Sequence, residues 1–590
     1  MSQTSRPDPS PDAPQGVLLD RYDAGLALVL AATALAAYVR TLAPGLLESD
    51  GAEFQTLAAT LGYAHPTGYP VYLLLARLAT LIPVGDVAYR VNLLSAILGS
   101  LATAGLYLLG RLLTGRRWPA AAGALAMALA PTFWSQAIIA RAYTAGIALM
   151  IGVLLCLELW RQRGRLPWLF ASGCLGGVSL GVHATQGLMA PAVAVLLLLT
   201  PRRWKAQWTV AAAGALAGAL ITLAAYKVID SAGSRTSYFR TVIAPSRSLP
   251  EWNLRPENLD SFWGRVNLCF RPPQYRVLLF SKPADVAWQK FAWFAGNLPQ
   301  EFPWPWLAAS LAGAFWLGRR DWRMTLLLLL TFAAHLGFDL IYDMGGIHVL
   351  YLATYVPLAL FGVAGLALAA DAATVCSKKS SRHTPSAVRR VLARLCGRRT
   401  DHTGTIRRTG RTAYGVCLLL FLRRKFIRRN LADLAAGLLG LGIVLWPLAR
   451  PGAWNVEGRR ECRVPPEEDP FRVEWSPTFQ EPIDQFHQRV RELVHDLEPG
   501  AIVFTGWCPL YAYYYVAHVE LDRTDLVFLQ DYPHPYTFEL ADSAVEYAAE
   551  MSPFRPVYFT HVVRKVAERL EMAPVRRGRD TLYRVRRPIR

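Results

Sequence analysis

Two carboxylates three residues apart, Asp50 and Glu53, sit in the stretch "LLESDGAEFQTLAATLGYAHPTGYPVYLLLARL" (46–78), with Glu48 just upstream and His65 downstream. On a helix this spacing puts both acids on one face. A carboxylate within hydrogen-bond reach can take the proton of an attacking hydroxyl, and partial burial raises its pKa toward that task. A structural role competes with this one. Ser49 or Asp50 would cap a helix starting near Gly51, and Glu53 would complete a capping box. In "GYAHPTGYPVY", Gly62, Pro66, Gly68 and Pro70 fix a non-helical turn. Tyr63, Tyr69 and Tyr72 suit a bilayer interface, where aromatic rings anchor. Such a turn accounts for everything except His65, which reads either as a hydrogen-bonded structural group or as a reactive one. No metal-ligand spacing stands out, so no obligatory metal is expected.

The surroundings explain the oddity of this stretch. The 590-residue chain is 53% hydrophobic, and its apolar residues are concentrated in runs such as "AGLALVLAATALAAYV", "MTLLLLLTFAAHLGF" and "LADLAAGLLGLGIVLWPLA". These approach the roughly 20 residues that a spanning helix needs. About 11 spans are expected, centred near 24–40, 91–113, 118–134, 142–160, 167–183, 186–201, 208–228, 304–319, 323–341, 347–370 and 431–449. The loops "TGRRW", "RQRGR", "PRRWK", "GRRDWR" and 372–430 are basic, and all fall on one side if the amino terminus is cytoplasmic. Three larger pieces then face the other side: the loop 41–90 that carries Asp50 and Glu53, the loop 229–303 and the tail 450–590. Leu26–Val39 reads as the core of a first span that stays, preceded by a disordered Pro/Asp/Ser-rich tail (1–23) without the order of a cleavable signal.

The net charge of +20 first suggests nucleic acid, but 372–430 alone holds 16 Lys/Arg against one acid, Asp401. A basic run beside spanning helices marks a cytoplasmic loop near anionic lipid, and nucleic-acid binding is not expected. The eight cysteines form no CxxC or Cys/His cluster. Cys156 and Cys174 read as small core residues, while Cys462 and Cys508 could pair in an extracytoplasmic tail. In that tail, an amphipathic helix ("FQEPIDQFHQRVRELVHDL") is followed by β-rich runs at 501–505, 525–530 and 556–560, the pattern of a small α/β domain. No Gly-rich phosphate loop follows "AIVFT". The aromatic "GWCPLYAYYY" in its place suits either a packed core or sugar or peptide docking.

The acids and the turn also carry a resemblance. "DGAEF" and "GYAHPTGYP" are similar to the Asp-x-x-Glu-[Phe/Leu] and Gly-x-x-His-Pro-x-Gly-Tyr-Pro elements of large polytopic bacterial proteins related to protein O-mannosyltransferases. "PTFWSQAIIARAYTAG", "GVSLGVHAT", "IYDMGGIHVLYL", "IVFTGW" and "DLVFLQD" resemble later segments of that family. The resemblance implies the type C glycosyltransferase (GT-C) class: an α-helical polytopic membrane protein, here with a small C-terminal α/β extracytoplasmic domain, in the bacterial inner membrane. It implies transfer of a sugar, mannose by likeness, from polyprenyl phosphate to an acceptor hydroxyl of protein Ser/Thr, a glycan or a lipid. No cofactor is implied beyond the donor.

In that reading Asp50 is the base, and Glu53 is a second acid or positions the acceptor. His65, Tyr69, Arg141, Tyr143, Tyr342 and His348 are donor-side candidates. Arg77 or Arg90 meets the lipid phosphate or merely anchors at the interface, and His183 lines the cavity or is a satisfied intramembrane histidine. Arg141 and Gly346 stand where the family often carries acids, which bears on the donor sugar and on metal need. Two other readings compete. A flippase for a lipid-linked sugar would want mid-span charges or broken helices in matching halves, and no clear internal repeat is seen. A non-catalytic assembly protein would tolerate Asp50→Asn. With the cytoplasmic side set by the basic loops, protease added outside spheroplasts is expected to cleave the tail and spare 372–430; the reverse pattern overturns the topology.

Overall fold

The computed structural model describes residues 17–252, 254–272, 279, 284–342, 347–382, 430–443, 445, 483–532 and 540–588. Residues 1–16, most of the 372–430 loop, Asp343, Gly346 and Cys462 lie outside the described residues. The first ten helices are α1 Arg21–Arg40, α2 Ser49–Thr60, α3 Pro70–Ala79, α4 Val87–Thr114, α5 Arg117–Ala128, α6 Pro131–Ala137, α7 Tyr143–Arg163, α8 Leu166–Ser179, α9 Ala190–Leu199 and α10 Trp204–Ala232. Trp304–Arg320, Trp322–Ile341, Leu352–Arg382 and Asn430–Ile443 continue the helical body. The protein is a multi-span membrane protein. Among the described residues, each expected span falls largely on helix. Among the described residues, six helices are long and apolar enough to cross a bilayer: α1, α4, α7, α10, Trp322–Ile341 and Leu352–Thr374.

The remaining spans differ from their expected form for local reasons. Pro131 restarts the chain after Ala130 and splits 118–134 into α5 and α6. The 167–201 region breaks at a 3₁₀ turn, Ala184–Met189. At the amino end, helix begins inside the expected tail, because Asp20 caps α1 and Asp23 returns the bond in a capping box.

Helix packing rests on small residues. Gly173 and Gly177 of α8 face Gly214 and Gly218 of α10, and a methyl group at any of the four would overlap a backbone atom of the other helix. Gly313 and Gly365 play the same part between Trp304–Arg320 and Leu352–Arg382. Between apolar helices in lipid, such close backbone approach supplies the contact energy.

The tail folds as expected on strands β1 Ile502–Thr505, β2 Val527–Gln530 and β3 Val557–Phe559, and adds a hairpin, β4 Leu570–Arg577 and β5 Asp580–Pro588. Sheet order is β2-β1-β3-β5-β4, with the first three strands parallel and the other pairings antiparallel. One face buries Ile502, Phe504, Val557 and Phe559 against Ala544 and Val545. Val503, Phe528 and Tyr558 on the other face belong to the same core as the membrane helices. The tail is therefore docked: Thr56 Oγ1 donates to the Tyr511 carbonyl (2.8 Å), and the Ala88 N–H donates to the Tyr515 hydroxyl (3.0 Å). Tyr511, Tyr514 and Tyr515 are buried, so most of the aromatic run is core.

Gly177→Val or Gly218→Val is expected to lower stability by about 1–3 kcal/mol through overpacking, read as a lower melting temperature in detergent. An equal loss from Gly176→Val, which faces open space, would sink the packing account.

Candidate active site

The acids do not cap α2. That helix starts at Ser49 with Glu48 as N-cap and no side-chain cap bond. Asp50 and Glu53 instead bond elsewhere, which corrects the capping expectation. The start of α2 is fixed by Gln55, which accepts from the Leu47 N–H (2.9 Å) and donates to Asn92 Oδ1 of α4 (2.9 Å). Sequence reading passed over this amide pair.

Glu53 is fully buried, and both of its oxygens are taken by His65: Oε1 accepts the backbone N–H (2.7 Å) and Oε2 meets Nδ1 (2.5 Å). The other ring nitrogen, Nε2, lies 3.1 Å from the Tyr69 hydroxyl and 3.9 Å from Asp50 Oδ2. Arg141 donates to Asp50 Oδ2, and the Trp507 indole N–H donates to Oδ1 (3.0 Å). Thus the two acids divide: Glu53 holds the histidine, and Asp50 is held by a cation and an indole.

The turn that presents His65 takes unusual backbone. Gly68 (φ +78°) and Tyr69 (φ +46°) are both left-handed, and a Cβ at Gly68 would strike Cys269 Sγ. Tyr226 donates its hydroxyl to the Thr67 carbonyl (2.6 Å), tying the turn to α10.

Charge follows geometry. Burial alone would raise the Asp50 pKa, but Arg141 and His65 outweigh it and hold the carboxyl at about 2. Burial raises Glu53. Burial would lower His65, yet Glu53 and then Asp50 more than offset it, and the imidazole is raised. Arg141 is likewise raised, because Asp50 outweighs its burial.

A cavity of about 190 Å³ opens beside this cluster, walled by Asp50, His65, Tyr69, Tyr143, His183 and Tyr342 among others. Seven candidates from the sequence therefore converge, with Arg141 reaching in through Asp50. Glu53 stands behind His65 and not in the wall. His183 is steadied by Thr185 Oγ1 (2.7 Å) and lies edge-on to Tyr69. His348 is buried but does not line the cavity. Arg77 and Arg90 do not line it either. Arg77 is exposed and donates to the Ala59 carbonyl, and Arg90 bonds the carbonyls of Val84, Thr80 and Gly85, pinning the α3–α4 loop.

Two more residues were missed. Trp507 comes from the far end of the chain, and its signal was the aromatic run after "AIVFT". Asp339, 2% exposed within an apolar helix between the cavity-lining Phe338 and after His335, could have been found as an intramembrane acid. Among the described residues, no group of three or more His, Cys, Asp or Glu could hold a metal ion.

Residues 50–208 match the family described as protein O-mannosyl-transferase TMEM260 N-terminal domain. This segment is O-mannosyltransferase-like. The chain is 36% identical over 157 residues to Protein O-mannosyl-transferase TMEM260 of Mus musculus, covering 25% of this chain and 22% of the mouse protein. It is 26% identical over 132 residues to its Dictyostelium discoideum namesake, covering 22% and 16%. The match thus spans less than a quarter of either relative. Among solved structures, ArnT from Cupriavidus metallidurans in the apo state is similar over 96% of this chain and 98% of that one, with 15% identity and a TM-score of 0.46. The S. cerevisiae Pmt1–Pmt2 complex bound to the sugar donor is similar over 36% and 34%, with 14% identity and a TM-score of 0.32. The O-mannosyltransferase-like segment begins at Asp50 and includes all the cavity residues named above except Tyr342.

The raised His65 sets a pH dependence. A raised pKa contributes stability that is fully present below the unfolded value near 6.5 and is lost as pH climbs through the folded one. The melting-temperature gap between wild type and His65→Gln should therefore shrink by about 2–4 °C from pH 6 to pH 10. A gap that does not change with pH would remove the ion pair from the account.

Proposed function

We propose that the chain is a GT-C-type membrane glycosyltransferase that moves a sugar, mannose by family likeness, from a polyprenyl-phosphate donor to an acceptor hydroxyl of protein Ser/Thr or a glycan. The reaction takes place on the extracytoplasmic face of a bacterial inner membrane, with the amino terminus cytoplasmic and the tail outside. One observation carries this reading: a carboxylate, Asp50, at the wall of an aromatic cavity, with a guanidinium on one oxygen and an indole N–H on the other.

The step balances on these residues. The acceptor oxygen bonds to the anomeric carbon as the bond from that carbon to the phosphate oxygen breaks. The acceptor proton passes to Asp50, and the phosphate leaves with the electron pair. Arg141 is the cation nearest the base, so a phosphate arriving beside Asp50 shares its guanidinium. That sharing loosens the hold that keeps Asp50 at about 2 and restores basicity when donor is bound. Glu53 fixes the ring of His65 with Nδ1 inward, leaving Nε2 toward the cavity for a phosphate or sugar oxygen. Tyr69, Tyr143, His183 and Tyr342 offer ring faces and polar tips to a sugar.

A membrane assay with labelled polyprenyl-phosphate mannose tests this. Asp50→Asn should cut transfer by about 10²–10⁴-fold. Trp507→Phe, which keeps the ring and loses the N–H, should cost about tenfold. Transfer by Asp50→Asn equal to wild type would defeat the site, and no transfer by intact wild type would defeat the reaction class.

A further inference from the structure

A second cavity, of about 660 Å³, lies on the other side of the Gly62–Tyr69 turn. Its wall carries Arg240, Arg247, Arg255 and Arg265 against Asp230 and Asp260. The charges are not evenly matched. Asp230 is already used, accepting from Arg265 Nε (2.7 Å) and from the Tyr63 hydroxyl (3.1 Å). Arg240, Arg247 and Arg255 are exposed, and their guanidiniums have no hydrogen-bond or ion-pair partner among the described residues. Three free guanidiniums around one concavity form an anion-binding surface, since each presents a planar fork of donors that fits a phosphate.

The depth of the cavity in the membrane narrows the ligand. Ile229, Asp230 and Gly233 in its wall are where α10 ends. The neighbouring helix Phe262–Phe270 exposes Trp263 and Phe270, and the Lys227 ammonium sits 4.9 Å from the Phe262 ring. Exposed aromatics and a long cation at the end of a span mark the headgroup layer. Leu254 and Leu259 add apolar wall beside the arginines. An anion with an apolar body, held at headgroup depth, is an anionic lipid.

We propose that this cavity binds the phosphate of a lipid headgroup, at a site separate from the catalytic one. No residue lines both cavities. Tyr63 backs this one, and His65, two residues on, opens onto the other, so an occupied headgroup site would brace the turn that presents His65. The site does not depend on the transfer reaction. The phosphate could come from a bilayer phospholipid or from a polyprenyl phosphate, and binding tells them apart.

The full chain, purified in neutral detergent, is titrated by native mass spectrometry with phosphatidylglycerol, with polyprenyl monophosphate, and with a Glu-rich peptide as a soluble anion. One of the two lipids is expected to bind, identifying the source. Each of Arg240→Gln, Arg247→Gln and Arg255→Gln should weaken it about fivefold, and the Arg→Lys triple variant should retain part of the binding. Asp50→Asn should leave it unchanged. The single variants change exposed side chains, so folding is preserved. Lipid binding unaffected by the Arg→Gln triple variant, its loss in Asp50→Asn, or binding of the peptide without either lipid would each overturn the proposal.

Discussion

A carboxylate only a quarter exposed, held between a guanidinium and an indole N–H, is the constraint around which the site is arranged. Shielding from water disfavours the charged form of Asp50, and its neighbours offset that. Arg141 from the α6–α7 connection and Trp507 from the tail supply its partners. Its register is set by Gln55 and Asn92, which lock the start of α2 to α4. Four distant stretches of chain must therefore be in place before one side chain can hold its charge. The close glycine packing of α8 against α10 serves the same end, since α10 carries Tyr226, and Tyr226 holds the turn that presents His65.

The two acids of the opening segment show how burial sorts similar groups into different tasks. Glu53 is sealed off and spends both oxygens on His65, so it acts through the histidine. Asp50, three residues on the amino side, meets the cavity. Had the pair simply capped α2, neither would be free for this. The helix manages without a side-chain cap, with Ser49 at φ +57°, and backbone strain of this kind persists where surrounding contacts over-determine it.

What was legible in the sequence was what is local. Apolar runs gave the positions of the spans, short β-rich runs gave β1 to β3, and the acids with the His-Pro-x-Gly-Tyr-Pro turn pointed to the site. What was hidden depends on contacts across hundreds of residues. Arg141 was visible as an arginine in an expected acid's position, but not as the partner of Asp50. Arg90 read as either a phosphate ligand or an interface anchor, because an arginine near a membrane loop fits both; its three carbonyl acceptors decide for loop pinning. The β4–β5 hairpin was obscured because its exposed face is rich in arginine, which dilutes the hydrophobic alternation of a half-buried strand.

The tail deserves the last inference from packing. In a parallel sheet, ligand-facing residues lie beyond the carboxyl ends of the strands. Trp507 sits two residues past the end of β1, and it is the residue that reaches Asp50. The carboxyl end of β1 is thus oriented toward the segment that carries Asp50. The buried bonds of Thr56 to Tyr511 and of Ala88 to Tyr515 hold it in that orientation. Lifting the tail would strip Asp50 of the Trp507 indole donor and leave those backbone groups unpaired. The tail and the membrane body therefore share one electrostatic site, and neither half can be understood as a module added to the other.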